Sequence, residues 1–216
     1  MNKTRKKLFL ISMIVLTLVI VGASCGSSFT STKTASFQDF NITDAQLESE
    51  KFLQRIDEAE VKAQEWQSDA YLFTINIYFE NEIISSEIKP ILYYTSLDEG
   101  GNNDFYVELS KDLNELVAWG EEPRLSEDVG SEFLEIFTDE IVYGYAQALE
   151  IAEQNGGSEF RSEHDDTQTI LDLYKNYQVG LEWGVYYAEM STLDEYDVLR
   201  VFIDPVEGQI IEIVNN

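Results

Sequence analysis

The chain's chemistry is bounded by a single thiol, Cys25, a single imidazole, His164, and 41 carboxylates among 216 residues. One histidine excludes a two-histidine metal site. Glu163-His164-Asp165-Asp166 has metal-binding residue types, but it lies in a polar stretch and reads as a solvated loop. The turn Asp98-Glu99-Gly100-Gly101-Asn102-Asn103-Asp104 offers oxygens suited to calcium, without the alternating acids and closing glutamate of a calcium loop. With so many acids, paired carboxylates for glycoside hydrolysis arise by chance, and the sequence nominates no pair. Trp66, Trp119 and Trp183 read as core or sheet packing. There is no phosphate loop, CxxC pair or nucleophile elbow, so the expectation is a non-enzymatic chain with no metal and no cofactor.

Cys25 is the one side chain whose surroundings predict a definite fate. Lys3, Arg5, Lys6 and Lys7 are followed by an uncharged apolar run, Leu8 to Val21, and then by Gly22-Ala23-Ser24. This is the layout of an export signal. The run is shorter than the roughly 20 residues that cross a bilayer as a helix. Val21-Gly22-Ala23-Ser24-Cys25 resembles the lipobox of bacterial lipoproteins. That resemblance implies cleavage before Cys25, a lipid on its thiol, and a protein anchored on the extracytoplasmic side of a membrane. Two acyl chains suffice for stable anchoring, and a lone thiol in an exported chain cannot form an internal disulfide. Plain secretion is the alternative, since Val21-Gly22-Ala23 also fits a soluble-protein cleavage site.

Beyond Cys25 the chain has ten basic and 41 acidic residues, a net charge of −31. Nucleic-acid binding depends on Lys and Arg meeting phosphates, so that function class is excluded. The charge serves solubility or attracts cationic partners. Because 44% of residues are hydrophobic and 12% aromatic, the chain has ample material for a core.

The predicted organisation runs from a leader (1–24) through a flexible tether (25–42) to a first folded unit (43–122), a linker (123–130) and a second unit (131–216). In the first, Thr43-Asp44-Ala45-Gln46 fits a capping box with Ile42 stapled on Leu47. Phe52, Ile56, Ala59, Ala63 and Trp66 then mark one helical stripe. Strands are predicted at 71–79, 91–95, 105–109 and 115–119. In the second, Phe133, Phe137, Ile141, Ala148 and Ala152 predict a long helix stopping at Asn155-Gly156-Gly157. A short extra helix is read at Ile170 to Tyr177, with strands at 181–190, 198–204 and 209–214.

Shifted by 94 positions, Val107–Val117 lies over Val201–Ile211 with apolar positions matching, which predicts a duplicated hairpin. The fold class expected is α+β, as two tandem units that each pack one long helix on an antiparallel sheet. Ala148-Leu149, Ala152, Trp183-Gly184-Val185-Tyr186-Tyr187 and the hairpin Val201 to Ile210 with Asp204-Pro205 and Gly208 at its turn resemble the PepSY domain. The first unit differs in carrying Ser110-Lys111 where the second has Asp204-Pro205. The resemblance implies a non-catalytic module that contacts, inhibits or chaperones a peptidase or another envelope protein. The alternatives are an envelope hydrolase using paired carboxylates and a structural envelope spacer.

Overall fold

Among the described residues, apolar and polar side chains in alternation build eight strands: β1 (Tyr71–Phe79), β2 (Ile88–Thr95), β3 (Asn103–Leu109), β4 (Leu116–Pro123), β5 (Thr167–Asn176), β6 (Gly180–Glu189), β7 (Val198–Ile203) and β8 (Ile210–Asn215). The computed structural model describes residues 37–79, 88–96, 103–124, 134–164, 166–189 and 198–215. The helices are α1 (Ala45–Trp66), α2 (Tyr145–Ala152) and α3 (Ser158–Glu163). The protein is α+β, and its strands form one antiparallel sheet in the order β4-β3-β2-β1-β5-β6-β7-β8. The two segments predicted as separate units each supply four contiguous strands, and β1 pairs with β5 to join them.

The hairpins at the two ends of the sheet match in register. A bulge falls between Glu108 and Leu109 in the β3–β4 ladder and between Phe202 and Ile203 in the β7–β8 ladder, 94 positions on in both cases, as 203 is from 109. Moving inward, Tyr106 faces Tyr93 and Arg200 faces Tyr186; Tyr93 faces Thr74 and Tyr186 faces Ile170. The ladders therefore make Asn76 the counterpart of Asp172, and these two residues face each other across β1–β5.

All three helices pack on the same sheet face. Trp66 at the end of α1 stacks on Phe105 of β3 at 5.3 Å, and the ring of Phe52 meets Tyr145 of α2 edge-on at 5.1 Å. Phe160 of α3 tilts against Tyr187 of β6. Beneath them Ile75, Ile77, Leu92, Val107, Leu171, Leu173, Val185 and Val201 are all fully buried. Trp183 is buried as well, its indole nitrogen donating to the Tyr143 carbonyl at 2.8 Å. Burying such side chains contributes about 1.5–3 kcal/mol each.

Several local expectations change. The N-cap of α1 is Asp44, whose Oδ1 accepts from the Leu47 amide at 3.0 Å, and Leu47 stays half exposed. Order begins before Thr43: Phe37–Phe40 form a 3-10 turn, and Phe40 is buried against Phe79 at 4.7 Å. The second long helix is not continuous. The amides of Leu134 and Ile136 donate to carbonyls of Lys175 and Leu72, so this stretch runs extended along the sheet, and the helix starts only after Gly144. It does break at Asn155-Gly156-Gly157, as expected from the sequence. A kink with Gly156 at φ +112° turns the chain into α3, and Arg161 reaches back to Glu153 across it at 2.5 Å, both nearly fully buried. The stretch Ile170–Tyr177, read as a helix, belongs largely to β5. Its apolar residues on both faces masked a period of two, with Thr167, Thr169, Leu171 and Leu173 buried.

Candidate functional site: the uncovered tyrosine face of the sheet

Alternation sends every second residue of each strand to the face opposite the helices. There, among the described residues, no helix covers the sheet. Tyr78 (β1), Tyr93 (β2), Tyr106 (β3), Tyr174 (β5) and Tyr186 (β6) share this face with Phe202 (β7), and all six are partly exposed. Rings of adjacent strands meet here: Tyr186 meets Phe202 edge-on at 6.0 Å, and Phe73 at the β1 bulge tilts against Tyr93 at 6.4 Å. Gly120 lies under the Tyr106 ring, where a Cβ would be 3.6 Å from Cε1.

The acids on this face are partly sunk among the rings. Burial and the nearby Asp104 hold the Glu122 carboxyl above its usual range. Glu122 and Glu108 both raise the Tyr93 hydroxyl further, beyond the larger effect of its burial. Asp104 itself is matched by Arg124, Nε to Oδ1 at 3.0 Å, and Arg124 also donates to Thr95 Oγ1 at 2.6 Å. In the centre, burial followed by the neighbouring Glu182 pushes the Asp172 carboxyl up to about 8. Burial thus favours the protonated form of Asp172. Tyr186 bonds to its carboxyl, and Tyr174 donates to Glu182 Oε1. Asp172 Oδ1 has no partner and rests over Gly184, where a Cβ would lie 2.4 Å from it.

Such a surface offers flat rings beside carboxylates. Cationic side chains bind that combination well, through the ring faces and through charge. A dent lined by Ile56, Glu60, Tyr71 and Glu135 on the helix side encloses about 50 Å³, room for a few waters.

Cys25 and the leader lie outside the described residues, as do residues 98–102 of the acidic turn. Asn103 and Asp104 from that turn belong to β3, and Asp104 is engaged by Arg124. His164 caps α3, with Nδ1 2.8 Å from the Phe160 carbonyl oxygen and its ring stacked on Phe160 at 4.0 Å. Among the described residues no cluster of histidine, cysteine and acids could hold a metal. The three tryptophans all lie on the helix side: Trp66 on Phe105, Trp183 in the core, and Trp119 half exposed under Lys62 at 5.6 Å. Sequence reading missed the tyrosine face. Its signal was the pair Tyr93-Tyr94 recurring as Tyr186-Tyr187 in the equivalent strand, one ring of each pair pointing to the core and one away from it.

No protein-family model matches the chain, and no curated protein matches it. Among solved structures it is similar to the crystal structure of a putative lipoprotein from Clostridium difficile 630, at 11% identity and a TM-score of 0.49, covering 85% of this chain and 100% of that one.

Proposed function

We propose that this chain is a lipid-anchored, extracytoplasmic binding module whose uncovered tyrosine face docks a protein presenting lysine and arginine side chains. The reading is non-catalytic. The observation that carries it is the tyrosine face itself: a row of part-exposed rings across five strands, interspersed with Glu108, Glu122 and Glu182, on a chain of net charge −27. A cation seated between Tyr93 and Tyr106 meets both the rings and the carboxylates of Glu108 and Glu122. Anchoring rests on Cys25 and the leader before it. In this reading the sheet is a duplication, two PepSY-like units of four strands fused edge to edge at β1 and β5, and the matched bulges support it. A peptidase is one partner compatible with that resemblance.

One feature favours a second reading, an envelope hydrolase: burial, and then the neighbouring Glu182, raise the Asp172 carboxyl above its usual range. Against it, Asp172 Oδ1 is buried beside Gly184 and Tyr186.

The test is co-purification from cross-linked envelopes, wild type against the double variant Tyr93→Ala/Tyr106→Ala. The expected result is a protein partner that wild type retains at low salt, loses at high salt, and that the folded double variant fails to retain. Equal recovery of the same partner by the double variant overturns the docking face.

A further inference from the structure

We infer that β8 is a strand-addition site that takes an extended segment of a partner protein in which apolar residues alternate with lysine or arginine. The inference uses a different surface from the tyrosine face and stands independently of it. β8 is the last strand of the sheet, and among the described residues it pairs with β7 alone, so its outer row of amides and carbonyls faces no strand. Its sequence, Ile210-Ile211-Glu212-Ile213-Val214-Asn215, contains no proline, glycine, lysine or arginine. Ile211 and Ile213 lie on the helix side at 48% and 46% exposure, and Val206 in the preceding turn is half exposed. Beyond the bulge at Ile211, an apolar edge of this kind is a template for another strand, and proteins normally blunt it.

The opposite edge shows what blunting looks like in the same molecule. Counted through the matched bulges, Val117 and Trp119 of β4 correspond to Ile211 and Ile213. Yet β4 continues into Gly120-Glu121-Glu122-Pro123, two charges and a residue with no amide proton, and Lys62 lies over Trp119. β8 has one charge, Glu212, on the face opposite Ile211 and Ile213, and no proline.

Charge decides the occupant. A second copy pairing β8 with β8 brings two Glu212 carboxylates near each other between two bodies of net charge −27. A basic, alternating segment instead gains main-chain hydrogen bonds from the edge, apolar contact with Ile211 and Ile213, and attraction to the acidic chain.

The experiment measures amide hydrogen exchange across the full chain with a blocked Lys-Val-Lys-Val-Lys-Val peptide, using its Glu-for-Lys counterpart as control. The lysine peptide is expected to slow exchange of β8 amides by about tenfold at saturating concentration, and the glutamate peptide to leave them unchanged. Ile211→Lys/Ile213→Lys, both at exposed positions, abolishes that protection, whereas Tyr93→Ala/Tyr106→Ala retains it and so separates this edge from the tyrosine face. Protection by the lysine peptide confined to β4 or to the tyrosine strands, or none at saturation, overturns the inference. So does β8 protection that grows with protein concentration in the absence of peptide, which assigns the edge to a second copy.

Discussion

Asn76 and Asp172 stand opposite each other in the central strand pair and are also the residues that the two sets of ladders make equivalent. The sheet thus has a local two-fold relation through this pair, with Tyr93 and Tyr186 at matching places on either side. The two members have diverged in chemistry. Asn76 is an amide, whereas Asp172 is an acid folded over Gly184 and bonded to Tyr186.

Gly184→Ala should therefore destabilise the fold. The added Cβ would meet Asp172 Oδ1 at 2.4 Å and the Tyr186 ring at 2.7 Å. Forcing those groups apart costs about 1–3 kcal/mol. A lowered midpoint of thermal unfolding checks it, and Gly184→Ala combined with Asp172→Ala should recover part of the loss.

Asp172 also sets a pH dependence. Its carboxyl is raised from 3.8 to about 8 in the folded protein, chiefly by burial and then by Glu182. Below the unfolded value both states are protonated and the group has no effect on stability. As pH rises toward 8 the unfolded chain loses this proton while the folded one holds it, so stability falls across that window and levels off above it. In D172N this contribution is absent. Denaturant unfolding of both proteins from pH 4 to 9 should show the variant gaining on wild type through the window; a constant difference contradicts the assignment.

The Glu153–Arg161 pair holds the kink between α2 and α3, with Arg161 also lying over the Phe40 ring at 4.2 Å. Removing one partner leaves a buried charge unmatched, so Arg161→Met should cost about 3–5 kcal/mol. Replacing both, as Glu153→Leu/Arg161→Met, should cost less than that single change. Equilibrium unfolding of the two variants gives the comparison directly.

How much of this was legible in the sequence differs by element. The stripe Phe52 to Trp66 specified α1, and Tyr71 to Phe79 specified β1, because each shows one clean period. The matched hairpins were legible down to their spacing. β5 was not, since a strand with apolar residues on both faces shows no alternation, and neither was the broken second helix. Phe137 and Ile141 have helical spacing, but the amides upstream of them are taken by Lys175 and Leu72. The tyrosine face escaped notice because it needs strands that lie far apart in sequence to be placed side by side.

For anchoring, Cys25→Ala should move the protein from the membrane fraction to the soluble fraction or leave it unprocessed with its leader attached. Fractionation with mass spectrometry of the N-terminus checks this. An unmodified Cys25 in a mature, soluble wild-type protein contradicts lipidation.

The most direct measurement of the docking claim is site-specific photo-cross-linking in intact cells, with the reactive side chain placed at Tyr106 on the open face or at Val61, exposed on α1. The account predicts an adduct from Tyr106 that fades when Glu108 and Glu122 are both changed to lysine, and none from Val61. Equal adducts from both positions, or an adduct indifferent to the charge reversal, would contradict it.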